Sequence, residues 1–357
     1  MHLLELECYQ FRCLRDVRLE PRERVTLLQG NNAQGKTSVL EALLYAATSK
    51  SHRTNREMDL VTYGEHAFSV RAQARRSDRE VAVDANWWRG IKRFKVNGVP
   101  QTRLSDILGK INVVLFSPED IVLIKGTAAH RRRFLDMALS QVRPVYLHAL
   151  QQYRQALRQR NELLRQPKPD PELLDTWDAQ LAQHGTSLVH ERAAFVARLA
   201  DLATTAYERI ASDEKLGLTY RPDVAPDQSL REALLKGRAS DVHRGVTLRG
   251  PHRDEVDVRV AGQSARTFAS QGQQKTAALA LRLAEVELVK ERSGEYPVLM
   301  LDEVLSELDK RRAERLFEAI DEQVQCLLTT TDLSTKDELF GAECCSYLIE
   351  DGKVAAQ

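Results

Sequence analysis

Long apolar runs, paired cysteines and a net excess of charge are all missing from this sequence. A helix that crosses a bilayer needs about 20 consecutive apolar residues, and no run approaches that length. The opening MHLLELECYQF also lacks the layout of a secretory signal peptide. We therefore expect a cytoplasmic protein that has no membrane partner.

The cysteine content argues against metal and disulfide sites, and the charge content does not point to a nucleic-acid-binding protein. The five cysteines include no Cys-x-x-Cys pair, which argues against a zinc site and a disulfide framework. Lys and Arg number 52 against 51 Asp and Glu, so the net charge of +1 does not indicate nucleic-acid binding. Any surface that binds nucleic acid has to be a local patch.

Two α/β segments flank a helical segment in the hydropathy pattern. The apolar run RVTLLQG precedes KTSVLEALLYAAT, whose apolar residues favour one helical face. Strand-like runs follow, and Asn97-Gly98 between two of them predicts a tight hairpin. From Arg131 a helical rhythm begins, and PKPDP breaks it into two helices that should form an antiparallel hairpin. From about Val246 the α/β pattern returns, with a buried strand in YPVLMLDE.

The segment GNNAQGKT has the Gly-x-x-x-x-Gly-Lys-Thr spacing of a phosphate-binding loop. Glycines let backbone N–H groups converge on phosphate oxygens, and the positive end of the following helix adds to the attraction. Lys36 should reach the β- and γ-phosphates and act in catalysis, while the Thr37 hydroxyl should bind Mg²⁺. The residues expected to bind nucleotide are Gly30, Asn31, Asn32, Ala33, Gln34, Gly35, Lys36, Thr37 and Ser38.

A nucleoside-triphosphate site also needs an acidic element, and the strand VLMLDE supplies one. Asp302 should hold Mg²⁺ together with Thr37, and Glu303 should orient or deprotonate the attacking water as a catalytic residue. The sequence lacks the Asn-Lys-x-Asp motif that specifies guanine. ATP is therefore favoured over GTP by elimination.

Two further motifs resemble those of ABC-type ATPases. Ser270-x-Gly272-Gln273 opens a helix as their signature motif does, and Ser306-Glu307-Leu308-Asp309 resembles their D-loop. The resemblance implies that Ser270, Gly272 and Gln273 face the γ-phosphate held by a second subunit, with Asp309 also at the nucleotide site. ATP would then close a homodimer. A helix N-terminus that carries a hydroxyl and a glycine suits such an anion.

The amino-acid sequences of several segments resemble those of the RecF family of recombination mediators. These segments are LECYQFRCL, NAQGKTSVLEA, SPEDIVLIKGTAAHRRRFLD and LRGPHRDEV, and the resemblance covers nearly the whole chain. The long insertion between the phosphate loop and the signature favours SMC-like ATPases of DNA maintenance over transporter subunits. Its helical arm is much too short for an SMC protein and has no zinc-hook cysteines.

This resemblance implies an α/β fold, an ABC-type (SMC-head-like) P-loop ATPase head with an inserted helical arm domain. The head would comprise residues 1–125 and 244–357, and the arm residues 126–243. The family further implies a weak ATPase of recombinational repair and replication that binds single-stranded, gapped and duplex DNA. It would assist recombinase loading with other mediator proteins of its pathway, and its family is required for SOS induction.

Two positions depart from related ATPases. The strand VLFSPED offers no glutamine for the loop that senses the metal, and the switch position has Thr330, Thr331 or Asp332 where transporters have histidine. A polar residue there can still contact the γ-phosphate, although hydrolysis should be slow. The resemblance also places Arg12 near the adenosine or its phosphates, with a structural salt bridge as the alternative.

Clustered arginines are the candidates for phosphate contacts with DNA, and such contacts should weaken with salt. Arginines on exposed helices often only pair with acids, which is the alternative for each cluster. The arm carries further arginines at Arg154, Arg158 and Arg160. Interleaved aromatic residues are not evident, which favours reading of the duplex backbone. The predicted DNA-binding residues are Arg131, Arg132, Arg133, Arg75 and Arg76.

Two other functions remain open at this point. One is the ATPase subunit of an ABC transporter, against which the long insertion and the missing metal-sensing glutamine argue. The other is a cytosolic P-loop kinase that acts on a small metabolite. The signature and the D-loop would have no role in such a kinase.

Overall fold

The structure, a computed structural model, describes most of the chain and divides it into two compact units. The described residues are 1–211, 214–225, 227–307, 310–332 and 344–356. Unit 1 comprises Met1–Asp120, Arg209–Ser212 and Leu279–Gln357, and unit 2 comprises Ile121–Glu208 and Asp213–Ala278. Unit 2 thus extends past residue 243 and includes the signature motif. The domain boundaries given above stay a prediction.

The elements are numbered along the chain. The strands are β1 (His2–Phe11), β2 (Leu14–Leu19), β3 (Val25–Gln29), β4 (Ala67–Arg75), β5 (Glu80–Trp88), β6 (Ile91–Val96), β7 (Val99–Gln101), β8 (Val113–Phe116), β9 (Leu216–Arg221), β10 (Glu255–Val260), β11 (Gln263–Ser264), β12 (Val298–Leu301), β13 (Cys326–Thr330), β14 (Cys344–Glu350) and β15 (Lys353–Ala356). The helices are α1 (Lys36–Thr48), α2 (Val122–Lys125), α3 (Ala128–Val142), α4 (Pro144–Leu164), α5 (Pro171–Ala211), α6 (Leu230–Arg244), α7 (Ala265–Phe268), α8 (Gln271–Ser293) and α9 (Lys310–Ala319).

Sheet A of unit 1 is antiparallel, with the strand order β2-β1-β4-β5-β6-β7. Buried and accessible residues alternate along β4 and β5, as expected for a sheet that covers a core with one face. Asn97 and Gly98 have φ values of 49° and 78°, and Val96 pairs with Val99. The predicted Asn-Gly hairpin is therefore confirmed.

Sheet B of unit 1 has the order β15-β14-β3-β13-β12-β8, and all of its neighbouring strands run parallel except β15. β3, β12 and β13 are buried along their whole length, as parallel strands covered on both faces should be. Leu301 pairs with Phe116 and Leu328, and Thr330 pairs with Gln29. The carboxyl ends of these strands therefore meet at one edge, where ligands bind in open parallel sheets.

Helix α1 packs against both sheets of unit 1 and joins their apolar side chains into one core. Every residue of α1 except Thr37 is buried. The helix begins directly after the phosphate loop, so the loop is attached to the most buried helix of the core. Only Thr37 and the loop-facing ammonium group of Lys36, at the start of α1, are placed to reach a ligand.

Unit 2 is mainly helical and contains the predicted antiparallel hairpin. α4 ends at Leu164 and α5 begins at Pro171, so the proline-rich break lies where the sequence indicates. Arg160, near the end of α4, binds Asp178, near the start of α5. Tyr146 at the start of α4 binds Arg192 further along α5, so the two helices run antiparallel. β9, β10 and β11 add a small antiparallel sheet. Among the described residues, no helix is both long and apolar enough to cross a membrane.

Candidate nucleotide-binding site

The phosphate loop connects β3 to α1 through backbone conformations that glycine tolerates best. Gly30 has φ 150° and Gly35 has φ 117°, and between them Ala33 has φ 65°. A Cβ atom on Gly30 would lie 2.3 Å from the backbone oxygen of Ile349 in β14. The first glycine is thus required by the neighbouring strand as well as by the loop.

Lys36 is held inside the loop. Its side chain is 3% exposed, and its Nζ donates hydrogen bonds to the backbone oxygens of Gly30 at 2.8 Å and Asn31 at 3.0 Å. Nζ also lies 3.4 Å from Oε1 of Glu303. The ammonium group therefore faces the concave side of the loop and the end of β12 together. Gln34 accepts a hydrogen bond from the Asp351 N–H at 2.6 Å, which ties the loop to the β14–β15 turn.

Thr37 and Asp302 meet as a pair suited to Mg²⁺. The Thr37 hydroxyl donates to Oδ1 of Asp302 at 2.9 Å, and the Thr329 hydroxyl donates to the same oxygen at 2.7 Å. Burial raises the pKa of Asp302, and the two hydroxyl hydrogen bonds oppose that rise. A hydroxyl and a carboxylate are hard oxygen ligands, and Mg²⁺ usually takes only one or two protein carboxylates with phosphate oxygens and water. The donor set fits this ion.

The backbone of Glu303 is fixed by hydrogen bonds, while its side chain stays accessible. Its N–H donates to the Thr329 hydroxyl at 2.8 Å, and its carbonyl accepts from Ser306 Oγ at 2.7 Å. Its φ of 49° is unusual for a residue with a side chain. Backbone strain of this kind clusters at functional sites. The carboxylate is 34% exposed, so it can reach water as a general base.

Thr329 is a site residue that the sequence analysis missed. It holds the Asp302 carboxylate and the Glu303 backbone at once. The signal was present in LLTTTDLS, which ends a buried strand with hydroxyl residues, but only the pairing of β12 with β13 shows which threonine is used. At the switch position, Thr330 is buried and its hydroxyl accepts the Asp332 N–H at 3.1 Å.

The segment after β8 contains no glutamine and is fixed by charges. The Ser117 N–H donates to Oδ2 of Asp120 at 2.9 Å. Arg282 donates to both oxygens of Asp120, at 2.6 and 3.2 Å. This segment therefore lacks the metal-sensing glutamine of related ATPases, and the contacts of Asp120 hold it in place instead.

Arg12 has a firm partner within unit 1. Its guanidinium donates to both carboxylate oxygens of Glu41, at 2.9 and 2.7 Å, and to the Asp59 carbonyl at 2.7 Å. Glu41 also accepts a hydrogen bond from Ser51. This geometry accounts for Arg12 as a structural ion pair, and its contact with the nucleotide stays a prediction.

The signature residues open α8 in unit 2 with reciprocal caps. The Ser270 N–H donates to Oε1 of Gln273 at 2.7 Å, and the Gln273 N–H donates to Ser270 Oγ at 3.2 Å. Gln273 also donates to Glu214 at 2.6 Å. Ser270 itself is exposed, and Gly272 follows in the first turn. Of the D-loop, Ser306 is described above, whereas Leu308 and Asp309 lie outside the described residues.

Two of the three predicted DNA-binding arginines of unit 2 form hydrogen bonds within that unit. Arg131 is buried and binds both oxygens of Glu255 at 2.7 Å. Arg132 donates to the Asp254 carbonyl at 2.7 Å, and Arg133 is exposed. These contacts favour a structural role for Arg131.

Of the two predicted DNA-binding arginines of unit 1, one is bonded within the unit and the other is exposed. Arg76 donates to Glu295 at 2.7 Å and to the Gly109 carbonyl at 2.8 Å. Arg75 is 62% exposed and lies 3.3 Å from Glu80. DNA contact by these arginines stays a prediction. Arg160 of the arm is fully buried, which corrects its inclusion among the surface arginines.

The fold and the site together define an ABC-type P-loop ATPase head of the SMC kind, as the sequence predicts. The model of the RecF/RecN/SMC N terminal domain matches residues 2–341. The Smc head domain of Pyrococcus furiosus has a similar fold, with a TM-score of 0.59 at 16% identity and coverage of 100% of this chain and 96% of that one.

Relatives of higher identity specify the family. The DNA replication and repair protein RecF of Symbiobacterium thermophilum is 41% identical over 347 residues, which are 93% of this chain and 92% of that protein. The same protein of Shouchella clausii is 40% identical over 368 residues, covering 99% and 98%. The structure of the recombination mediator protein RecF-ATP in the RecFOR pathway superposes with a TM-score of 0.92 at 34% identity, covering 100% and 97%. The chain belongs to the RecF family, which decides against a transporter subunit and a metabolite kinase.

Proposed function

We propose that this protein is an ATP-gated DNA-binding protein of recombinational repair and replication. The observation that carries the proposal is the convergence of Lys36, Thr37, Asp302 and Glu303 at one edge of sheet B. RecF relatives that are named for DNA replication and repair, and a relative described with ATP in the RecFOR pathway, support the assignment. The protein would act in the cytoplasm, at single-strand gaps and stalled forks.

ATP binding uses groups that are already positioned. Lys36 exchanges its loop carbonyls for the β- and γ-phosphates, and the loop N–H groups with the start of α1 hold the remaining charge. Thr37 and Asp302 hold Mg²⁺, which neutralises phosphate charge when it is bound. Lys36 then no longer needs Glu303 as its counter-ion, and the Glu303 carboxylate becomes available to accept a proton from water. Hydrolysis is slow and acts as a switch.

Dimerisation follows from the signature residues. Ser270 presents an exposed hydroxyl at the start of α8, where the positive end of the helix attracts an anion. The hydroxyl and the helix end would bind the γ-phosphate held by a second copy, so ATP stabilises the closed homodimer by its differential affinity. The closed dimer would bind gapped, single-stranded or duplex DNA and assist recombinase loading with mediator proteins of the same pathway. Support for SOS induction would follow from that role.

The substitution Ser270→Arg tests this model. The long cation should leave ATP affinity within about twofold of the wild type, because unit 1 alone holds the phosphate loop, and should abolish ATP-dependent dimers by filling the anion site. Equilibrium binding of a fluorescent ATP analogue and light scattering with and without ATP measure the two effects. Thr186→Arg, an exposed substitution on α5, is the matched control. A Ser270→Arg protein that still dimerises on ATP refutes the two-copy site.

A further inference from the structure

The outer face of sheet A, which turns away from the core, carries aromatic and basic side chains that are scattered in the sequence. Cross-strand pairing places five residues in one row across β2, β1, β4, β5 and β6. The row consists of Asp16, Tyr9, Ser69, Asn86 and Arg93. No local sequence pattern reveals this arrangement, because its members come from five strands that are neighbours in the sheet but are spread out along the chain.

One end of this face is aromatic and apolar. Trp88 ends β5 and pairs with Ile91, and these side chains are 53% and 46% exposed, while Tyr9 in the row is 54% exposed. The neighbouring Trp87 shows the contrast, since it is buried and stacks on Phe68 with centroids 6.2 Å apart. Burial of Trp87 therefore explains one of the two adjacent tryptophans and leaves Trp88 without a role in the core.

The same end carries cations that are not neutralised. Within the described part of the chain, Arg89 and Arg93 form no ion pair. Arg89 lies over the Trp88 ring, with Cζ 5.6 Å from the centroid.

Elsewhere on the face the arginines are paired. Arg71 lies 3.6 Å from Asp84, and Arg18 contacts Glu5 at 2.5 Å. The positive charge is therefore concentrated beside Trp88, although the whole chain is almost neutral.

Single-stranded DNA fits this chemistry better than a protein or a duplex. A protein-binding patch has an apolar centre depleted of charge, whereas here the polar residues Ser69 and Asn86 continue the row from Tyr9 to the strand of Trp88. Strand spacing puts Tyr9 and Trp88 about 12 Å apart, enough for two or three unstacked bases. A duplex keeps its base faces stacked inside and can offer only phosphates to the cations. Aromatic rings beside cations are the usual platform for a single strand.

We propose that the β5–β6 end of sheet A, with Trp88, Arg89, Ile91, Arg93 and Tyr9, binds the single-stranded segment of gapped DNA. Bases stack on Trp88 and Tyr9, and phosphates contact Arg89 and Arg93. This inference rests on the proposed DNA-binding function and names the surface that recognises the gap.

Binding of a fluorescein-labelled oligothymidine and of a duplex of equal length, measured by anisotropy with ATP, tests the surface. Trp88→Ala should weaken oligothymidine binding about tenfold and duplex binding less than twofold. Arg93→Ala should reduce the salt slope for the single strand by about 0.7. Leu173→Ala and Arg22→Ala are the controls, because Leu173 is exposed on α5 of unit 2 and Arg22 is exposed in unit 1 outside the strands of sheet A. Trp88→Phe should restore affinity while it removes the quenching of tryptophan fluorescence by the single strand.

The outcomes separate the inference from the proposed function. If the wild type binds DNA with ATP but Trp88→Ala binds the single strand normally, the surface is wrong and the proposed function stands. An equal loss on duplex and single strand also overturns base stacking at Trp88. If the wild type binds no DNA in any nucleotide state, both proposals fail.

Discussion

At the scale of single residues, His252 shows how the Gly-Pro-His-Arg-Asp motif is used inside unit 2. Its Nε2 lies 3.0 Å from the Thr247 carbonyl, which can only accept, so Nε2 carries the proton. Nδ1 then accepts a hydrogen bond from the Tyr153 hydroxyl at 2.6 Å. Burial lowers the pKa of His252, so the ring is neutral in the folded protein. The motif therefore fixes one tautomer in a structural turn.

Unfolding of unit 2 should depend on pH through this ring. As the pH falls, His252 of the unfolded chain takes up a proton at about pH 6.5, before His252 of the folded chain does. The contribution of the neutral ring to the unfolding free energy is therefore complete above that pH and is lost as the pH falls below it. Urea unfolding at pH 7.5 and 5.5 should show a smaller loss of stability for His252→Gln than for the wild type. Exposed His190→Gln is the control. Identical pH slopes for His252→Gln and the wild type would rule out this linkage.

Thr329 makes a second prediction at this scale. Thr329→Val keeps the shape but leaves the Glu303 N–H without its partner and removes one of the two hydroxyls that donate to Asp302 Oδ1, which should cost about 1–3 kcal/mol of unfolding free energy. ATP hydrolysis should fall as well, because both acidic residues lose a fixed contact. Thr329→Ser retains the hydroxyl and should behave like the wild type in urea unfolding and in phosphate release. Equal losses in the two variants would show that packing, and not the hydroxyl, is what matters.

These residues also show what the sequence could and could not reveal about the site. Lys36 and Thr37 were readable because loop and helix lie within one short segment, and Asp302 because it ends a buried strand. Thr329 depends on the pairing of two strands, and the row on sheet A depends on pairing across five. Contacts of that kind are set by the fold and leave no local pattern.

At the scale of elements, Arg160 joins three helices of unit 2. It is fully buried and donates to Asp178 of α5 at 2.5 Å and to Asp241 of α6 at 2.7 Å, while it belongs to α4 itself. The sequence predicted the helices and the proline break between them, but an arginine on a polar helical face is normally solvated. Its burial could not be predicted because both acids lie on other helices.

Arg160→Ala should therefore destabilise unit 2 strongly. Removal of the cation leaves the buried Asp241 carboxylate without a counter-ion, whereas Asp178 keeps Arg238 at 2.6 Å, and the expected cost is about 3–5 kcal/mol of unfolding free energy. Arg158→Ala, an exposed change two residues away, should stay within about 0.5 kcal/mol of the wild type. Urea unfolding followed by far-UV circular dichroism compares them. A similar small effect for both variants would mean that Asp241 finds another partner.

At the scale of the whole molecule, the lifetime of the ATP dimer should depend on Glu303. Glu303→Gln keeps the length of the side chain but cannot accept a proton, and it also removes the negative charge 3.4 Å from Lys36. ATP should therefore remain bound and the dimer should persist after excess nucleotide is removed. Size-exclusion chromatography after rapid desalting measures this, with Lys36→Ala as the variant that should bind no nucleotide. Rapid decay of the Glu303→Gln dimer would show that hydrolysis does not open it.

Sheet B draws its strands from both ends of the chain, and this order has a consequence for biosynthesis. β3 carries the phosphate loop, yet its neighbours are β13 and β14, and Gly30 packs on Ile349. A ribosome therefore releases the loop long before the strands that shape it. Until β14 emerges, at least one edge of β3 has no partner strand and the ATP site is not finished, so a half-made copy cannot be captured into a dimer by a completed one.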